Sequence, residues 1–174
     1  MTLSMQGFRT CIQPPEAADE EAFLTAMRDS VGLHHPWVNA PKDHAGWERY
    51  MKRLERVNET GFLVKRIHDG VICGVINLNV ITYEALCSAY ISYYGVTGQT
   101  ENGYMKEGML QVIQYAFNEL GLHRLEANIQ PGNLASIGLA RSTGFQYEGY
   151  SPRFLKINGE WCDHERWVVL ADSD

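Results

Sequence analysis

The spacing of apolar residues predicts one strand and two helices in the first third of the chain. The strand is expected over residues 7–13, just before two consecutive prolines. Apolar side chains then recur every three or four residues in two helical stretches: Phe23, Met27 and Val31, and later Trp47, Met51, Leu54 and Val57. Leu33–Trp37 interrupts this pattern, and Pro41 marks the expected start of the second helix.

The middle of the chain predicts a hairpin, a third strand and a helix. Phe62–Ile67 and Val71–Ile81 are rich in β-branched and aromatic residues. The Asp69-Gly70 dipeptide between them favours a tight turn, so the two runs are expected to pair antiparallel. Cys87–Val96, which contains three tyrosines, predicts the next strand. A helix follows, with its apolar residues at Met109, Val112, Ala116 and Leu120 and its end at Gly121.

The last third predicts two more strand regions around a short helix. Leu125, Ala127 and Ile129 alternate within His123–Gln130, which we expect to run parallel to the tyrosine-rich strand because a helix connects the two. A helix over residues 133–143 precedes a strand that begins at Gly144-Phe145, and Asn158-Gly159 predicts a final hairpin that ends in the strand Arg166–Leu170. The predicted fold is therefore α/β (α+β), with a mixed, mostly antiparallel central sheet, a βαβ unit and flanking helices.

Composition limits the class of protein. The 174 residues, 45% of them hydrophobic, suit a single domain over 1–174. Apolar stretches shorter than about 18 residues and the lack of a basic-then-apolar leader predict a cytoplasmic protein without a membrane partner. A net charge of −6 disfavours direct nucleic-acid binding, which depends on Lys and Arg. The four scattered cysteines suggest neither a disulfide framework nor a metal site.

One segment suggests an anion site. The tyrosine-rich strand leads through a Gly-containing loop, residues 95–103, into the following helix. The first turn of a helix leaves backbone N–H groups unpaired at its positive end. Such a loop-to-helix junction can hold a phosphate or pyrophosphate group, although one Gly in a loop also has purely structural uses.

Four motifs carry a family resemblance. They are Ala127–Ser136, Gly144–Gly149, the early Leu33–Trp37, and Gly159–His164. Together the chain resembles the GNAT acetyltransferases, in particular the branch that acetylates the N-terminal amine of ribosomal proteins. The resemblance implies an enzyme that uses acetyl-CoA, releases CoA, and transfers the acetyl group directly to an amine without an enzyme nucleophile or a metal.

The resemblance also implies roles for individual residues. Cofactor contacts would come from the end of the tyrosine-rich strand, the loop and the next helix start, which are Tyr94, Gly95, Val96, Thr100, Glu101, Asn102, Gly103, Tyr104, Met105, Asn133 and Ser136. Ser136 would protonate or hydrogen-bond the leaving thiolate. Glu148 is the first candidate for a catalytic carboxylate, with Asp163-His164 second. His34, His35, Trp37 and Tyr93 would line the acceptor side.

Several alternatives stay open at this point. The acceptor is either a protein N-terminus or a small amine, such as a polyamine, an amino acid analogue or an antibiotic. Thr100 and Met105 depart from the family's loop pattern, and Glu101 adds a negative charge, so a non-catalytic acyl-CoA-binding domain is the alternative from another class. A Rossmann domain is disfavoured because no Gly-x-Gly-x-x-Gly follows an early strand. A homodimer is a further open expectation.

Overall fold

A computed structural model describes residues 7–171, and within this range seven strands form one sheet. The strands are β1 (Thr10–Gln13), β2 (Thr60–Arg66), β3 (Ile72–Thr82), β4 (Ser88–Gly95), β5 (Arg124–Ile129), β6 (Gln146–Ile157) and β7 (Glu160–Leu170). Their order across the sheet is β1-β2-β3-β4-β5-β7-β6. The β4–β5 pairing is parallel and the other five pairings in the described range are antiparallel. The predicted mixed, mostly antiparallel sheet is confirmed.

Helices cover both faces of this sheet. They are α1 (Glu20–Asp29), the short α2 (Val31–His34), α3 (His44–Leu54), α4 (Tyr104–Gln114) and α5 (Leu134–Ser142). A 3₁₀ turn over Ala17–Asp19 leads into α1, and α4 continues into a π-helical turn over Tyr115–Glu119. Because α4 joins β4 to its parallel neighbour β5, the predicted βαβ unit is also confirmed.

Two apolar cores hold the layers together. On one face, residues of α4 and α5 such as Met109 and Ile137 pack against the sheet. On the other face, Phe23, Trp47 and Tyr50 of α1 and α3 pack against β2 and β3. Burying each large apolar side chain contributes roughly 1.5–3 kcal/mol. We call the sheet face covered by α4 and α5 the α4–α5 face, and the opposite one the α1–α3 face.

The parallel strands β4 and β5 separate soon after they pair. Their register runs from Ser88 opposite Arg124 to Tyr90 opposite Glu126. Beyond that point β4 continues to Gly95 and β5 to Ile129, but no further pairs join them. Main-chain groups in the separated part have no ladder partner on that side. The sheet therefore opens at this point, and the opening positions the functional site.

Several predicted boundaries need correction. Helix α3 begins at His44, not at Pro41, because the Asp43 carboxylate accepts the Gly46 N–H at 2.7 Å and caps the helix there. Val57 is 97% exposed because α3 ends at Leu54, before the predicted apolar stripe is complete. The last strand begins at Glu160, since the final hairpin pairs from its turn onward.

The prediction of one domain over residues 1–174 extends to residues 1–6 and 172–174, which lie outside the described range. The first strand is shorter than predicted, Thr10–Gln13 in place of 7–13. Within residues 7–171 no helix has both the length and the apolar character needed to cross a bilayer.

Candidate active site

A cleft of about 1300 Å³ passes through the opening between β4 and β5. Its walls include Ile91–Gly95 of β4 and Ala127–Gln130 at the end of β5. The loop before α4 and the first turns of α4 and α5 line it from one face of the sheet, whereas α3 and β7 line it from the other. Two bound molecules could therefore approach one another from opposite faces of the sheet.

The open edge of β4 offers backbone groups to a ligand. The Val96 N–H donates to the Cys73 carbonyl at 3.0 Å, and Gly95 is paired with Gly74. Because main-chain groups alternate along an antiparallel strand, those of Tyr93 and Gly95 face the opening and those of Tyr94 and Val96 face β3. The expectation of a cofactor contact from Val96 is not supported, since its amide is used within the sheet and its side chain is buried.

The start of α4 has the features of an anion site. Gly103 is the N-cap residue with φ of +80°, and no side chain caps the helix. The first intrahelical bond runs from the Glu107 N–H to the Gly103 carbonyl at 3.0 Å. The N–H groups of the first turn are consequently left for a ligand. Lys106 also lines the cleft at this point and adds a positive charge.

Most of the predicted loop residues reach the cleft. Thr100, Glu101, Gly103, Tyr104 and Met105 line it. Asn102 is not among the lining residues, because its side chain donates to the Thr100 carbonyl at 3.0 Å and its own carbonyl accepts from outside the loop. The expectation of a direct cofactor contact from Asn102 is therefore not supported.

The loop before α4 is held in place by residues that lie outside the sequence motifs. Arg9, far away in sequence, donates to the Asn102 carbonyl at 2.7 Å and pairs with the Glu107 carboxylate at 2.5 Å. The Met105 side chain lies over Gly74, where an added Cβ would come within 2.1 Å of the sulfur. The Met105 side chain thus fills the space that the absence of a side chain at Gly74 leaves.

The first turn of α5 brings Asn133 and Ser136 together. The Asn133 side-chain oxygen accepts the Ser136 N–H at 3.2 Å, which makes Asn133 the N-cap of α5. Both residues line the cleft. The Tyr93 hydroxyl donates to the Ser136 carbonyl at 2.8 Å and so ties β4 to α5. Burial raises the pKa of Tyr93, so this phenol acts as a hydrogen-bond donor at neutral pH and not as a base.

Of the two histidines predicted to line the acceptor side, His34 does so and His35 does not. His34 is buried, lines the cleft, and lies 2.8 Å from the Gly95 carbonyl through Nε2. A carbonyl only accepts, so Nε2 carries the proton. Burial lowers the pKa of His34 and keeps the ring neutral. His35 is exposed and is not among the lining residues, so its predicted role is not supported.

The loop around Pro36 and Trp37 crosses the mouth of the cleft. The Trp37 ring packs on Gly132 in the turn before α5, with an added Cβ only 3.1 Å from it. The Pro36 carbonyl accepts a hydrogen bond from the Asn158 side chain of the final hairpin at 3.2 Å. We call this segment the bridging loop, because it joins the β5–α5 turn to the β6–β7 hairpin.

Glu148 is not among the residues that line the cleft. Its carboxylate pairs with the Arg124 guanidinium and lies 3.7 Å from the Nε atom of Arg166. The Arg124 hydrogen bond lowers the pKa of Glu148, which weakens the carboxylate as a base. The expectation that Glu148 faces the cleft is therefore wrong, and a register shift between Tyr147 and Gly149 separates it from the regular alternation of β6.

His164, the second candidate, does line the cleft. It is buried on β7, and its Nδ1 lies 3.0 Å from the Cys162 carbonyl. That contact requires the proton on Nδ1, which leaves a lone pair on Nε2. Burial lowers the pKa of His164, so the imidazole is neutral and able to accept a proton at pH 7.

Asn128 is a site residue that the motifs did not reveal. Its side-chain nitrogen donates to the Glu126 carboxylate at 3.1 Å, and Glu126 is itself paired with Arg124. This contact fixes the amide so that Oδ1 points the other way, where it is buried without a hydrogen-bond partner in the described part of the chain. A buried, unpartnered acceptor is costly unless a ligand or water completes it. Asn128 lines the cleft.

This arrangement has the elements of an acyl-transfer site. It combines open backbone donors and a helix start on one face with a neutral imidazole and an amide oxygen on the other. In residues 7–171 no group of three or more His, Cys, Asp or Glu side chains could hold a metal ion.

Comparison with known sequences defines the family. A family profile described as "Acetyltransferase (GNAT) domain" matches residues 9–146. The chain belongs to the GNAT acetyltransferase family, and it is an acyl-CoA-dependent N-acetyltransferase.

Curated relatives agree with this assignment. The probable N-acetyltransferase YjcK of Bacillus subtilis is 37% identical over 125 residues, which span 72% of this chain and 69% of that protein. The [ribosomal protein uS5]-alanine N-acetyltransferase of Escherichia coli is 27% identical over 69% of this chain, but over only 64% of its own length.

Solved structures share the fold. RimJ of Mycobacterium smegmatis in complex with CoA-disulfide superposes with a TM-score of 0.85 at 22% identity, over 93% of this chain and 82% of that one. A spermidine N-acetyltransferase from Vibrio cholerae, in complex with CoA and spermine, gives a TM-score of 0.78 at 21% identity, over 93% of this chain and 95% of that one. Both structures thus share the fold of this chain.

Proposed function

We propose that this enzyme acetylates the N-terminal amine of a protein or peptide by direct transfer from acetyl-CoA. The observation that carries the proposal is the through-sheet cleft, because it lets the thioester and the amine meet between the separated strands β4 and β5. Holding two reactants in such a position accounts for a large part of the rate gain in direct transfer reactions.

The α4–α5 face suits acetyl-CoA. The N–H groups at the start of α4, with Lys106 beside them, would hold the pyrophosphate. The Gly95 N–H would bind along the pantetheine arm, since the Gly95 carbonyl is already used by His34. These donors belong to the backbone, so the changed side chains at Thr100 and Met105 leave them in place. This argues against the non-catalytic alternative. Bound acetyl-CoA supplies the activated acetyl group.

The α1–α3 face suits the amine. Asn128 Oδ1 would accept an N–H of the amine and so direct its lone pair toward the thioester carbonyl. The neutral Nε2 of His164, directly or through one water, would take the proton that the amine releases. Ser136 would donate a hydrogen bond to the departing sulfur. Such an amine has an ordinary pKa near 8, so a moderate base suffices.

Two observations favour a protein N-terminus over a polyamine. A relative that covers 69% of this chain is a ribosomal-protein alanine acetyltransferase. In addition, Lys42, Arg49 and Arg53 line the acceptor side of the cleft, where a polycation would be repelled.

Calorimetry followed by a turnover assay tests the proposal. Acetyl-CoA is titrated into the protein, and peptides with free N-terminal Ala or Ser, or spermidine, are then added while thiol release is followed. We expect tight cofactor binding and thiol release with the peptides. The same peptides with a blocked N-terminus are the control. Binding of acetyl-CoA without turnover on any amine would contradict the proposed reaction. Turnover on spermidine alone would contradict the proposal that the acceptor is a protein or peptide N-terminus.

A further inference from the structure

The charge of the cleft is opposite to the charge of the whole protein. The chain carries 15 Lys and Arg against 21 Asp and Glu. Among residues that line the cleft the balance reverses, because four are cations (Lys42, Arg49, Arg53 and Lys106) and two are carboxylates (Asp43 and Glu101). A local reversal of this kind favours an anionic ligand, because a cleft lined mainly by cations attracts negative charge and repels positive charge.

Three of the four cations lie on the α1–α3 face, where the acceptor would enter. Arg49 and Arg53 are one helical turn apart on α3 and share its cleft-facing stripe with Tyr50. Lys42 precedes the same helix, and its charge adds to the burial that lowers the pKa of His34. Burial raises the pKa of Tyr94 at the end of β4, and the charge of Arg53 opposes that rise. The three cations thus surround the acceptor side of the opening.

Two of the three cations have no ion-pair partner. Within the described residues neither Lys42 nor Arg49 forms an ion pair. Arg53 is paired with the Glu59 carboxylate at 3.8 Å, which is beyond hydrogen-bond distance and leaves its Nε without a hydrogen-bond partner. The nearby Asp43 carboxylate keeps its negative charge and accepts the Gly46 N–H.

We propose that Lys42, Arg49 and Arg53 form a carboxylate-binding subsite for the acceptor. This rests on the proposed function and adds that the substrate carries a carboxylate within a few residues of its reactive amine. The guanidinium fork matches the two oxygens of a carboxylate. The phosphates of acetyl-CoA have their own donors at the start of α4, on the other face of the sheet.

A peptide series tests the charge preference. Peptides of one length with free N-terminal Ala carry Glu, Gln or Lys at the second, third or fourth position. We expect kcat/KM to fall about tenfold from Glu to Gln at the best position, the size expected for a hydrogen bond to a charged group. The Lys peptide should be poorer again, and the preference should shrink in high salt.

A matched pair of variants assigns the preference to the subsite. Arg49→Glu changes an exposed side chain in the cleft, and Lys52→Glu makes the same type of change on α3 outside the lining. We expect Arg49→Glu to reverse the order of the Glu and Lys peptides, with the KM for acetyl-CoA unchanged. Lys52→Glu should keep the wild-type order.

The outcomes separate this inference from the proposed function. Turnover of all peptides regardless of charge would overturn the subsite and leave N-terminal acetylation standing. An effect of Arg49→Glu on the KM for acetyl-CoA alone would also overturn it, because the cations would then serve the cofactor. Free amino acids and their α-amides form the second arm. Turnover of the acids alone, lost in Arg49→Glu, would support the subsite but contradict the protein acceptor.

Discussion

At the scale of single residues, the proposed acetyl transfer depends on the hydroxyl of Ser136 and the imidazole of His164. Ser136 sits in the first turn of α5, where its backbone is fixed at both ends, by Asn133 and by Tyr93. His164 is held by one carbonyl contact that determines its tautomer. The Ser136 backbone and the His164 ring are therefore held by groups that a conservative substitution leaves intact.

Replacement of Ser136 tests the leaving-group role. Ser136→Ala is expected to lower kcat by roughly 10- to 100-fold with little change in either KM, because the lost hydrogen bond to a developing charge acts mainly in the transition state. Steady-state kinetics by thiol release measures this. Ser151→Ala, at a serine that does not line the cleft and accepts from Arg166, is the control and should retain activity. Equal losses in both variants would argue against a specific role.

Replacement of His164 separates the two base candidates. His164→Gln is expected to lower kcat/KM by about 100-fold, the lower end of general-base contributions, because an N-terminal amine is already partly neutral at pH 7. Glu148→Gln should change activity by less than about threefold, since the carboxylate is engaged by Arg124 away from the cleft. The reverse ranking in a peptide assay would restore Glu148 as the base.

At the scale of elements, the contact between α4 and β2 is unusually close. A Cβ added at Gly108 would lie 2.5 Å from the Val64 side chain. The contact brings α4 close to the sheet. It therefore also helps to position the N-terminus of α4, which is the proposed pyrophosphate site. Gly108 therefore serves packing, although a helix interior ordinarily favours Ala.

Two glycine substitutions measure this constraint. Gly108→Ala should lower the free energy of unfolding by roughly 1–3 kcal/mol, because overpacking outweighs the gain in helix propensity. Gly138→Ala in α5 meets no atom within 4 Å and should raise it by roughly 0.5–1 kcal/mol. Urea unfolding compares the two proteins. Stabilisation by both changes would contradict the close-packing argument.

At the scale of the whole molecule, two buried neutral histidines link stability to pH. Burial lowers the pKa of His34 and of His164 in the folded state. The unfolded chain therefore binds more protons below its histidine pKa of about 6.5, and folding loses stability as pH falls through that value toward the lower folded pKa. His44 acts in the opposite direction, since Glu20 raises its pKa, but it is fully exposed and screened.

The pH dependence can be measured by urea unfolding at pH 7.5 and pH 5.5. We expect the wild type to be less stable at pH 5.5. A His34→Gln, His164→Gln double variant should lose most of this difference, because glutamine donates a hydrogen bond but does not titrate in this range. An unchanged difference would assign the pH dependence to other groups.

The sequence predicted the elements better than it predicted the site. Alternation and helical spacing are local, so the hairpin at Asp69-Gly70 and the βαβ unit were identified from short stretches. Val57 was misplaced because a cap at Asp43 and a helix end at Leu54 depend on backbone geometry. The Gly-containing loop before α4, noted in the sequence for its junction with a helix, lines the cleft, and its contact with a cofactor stays a prediction.

The residues that were missed depend on contacts between distant parts of the chain. Asn128 matters because Glu126 orients its amide, and Arg49 because α3 turns it toward a cleft formed by other elements. Glu148 looked suitable in its motif, but its two arginine partners come from other strands. No spacing rule reports such pairings, since they arise only when the sheet assembles.

The bridging loop has a consequence for the order of events in a catalytic cycle. Because it fastens the β5–α5 turn to the β6–β7 hairpin, these two walls of the cleft are held together, while the proposed cofactor and amine sites lie on opposite faces of the sheet. Neither reactant then has to pass through the place of the other, so both binding sequences are open and either product can depart first. Product-inhibition kinetics should accordingly give the pattern of a random-order mechanism, whereas a compulsory order would require the loop to move when acetyl-CoA binds.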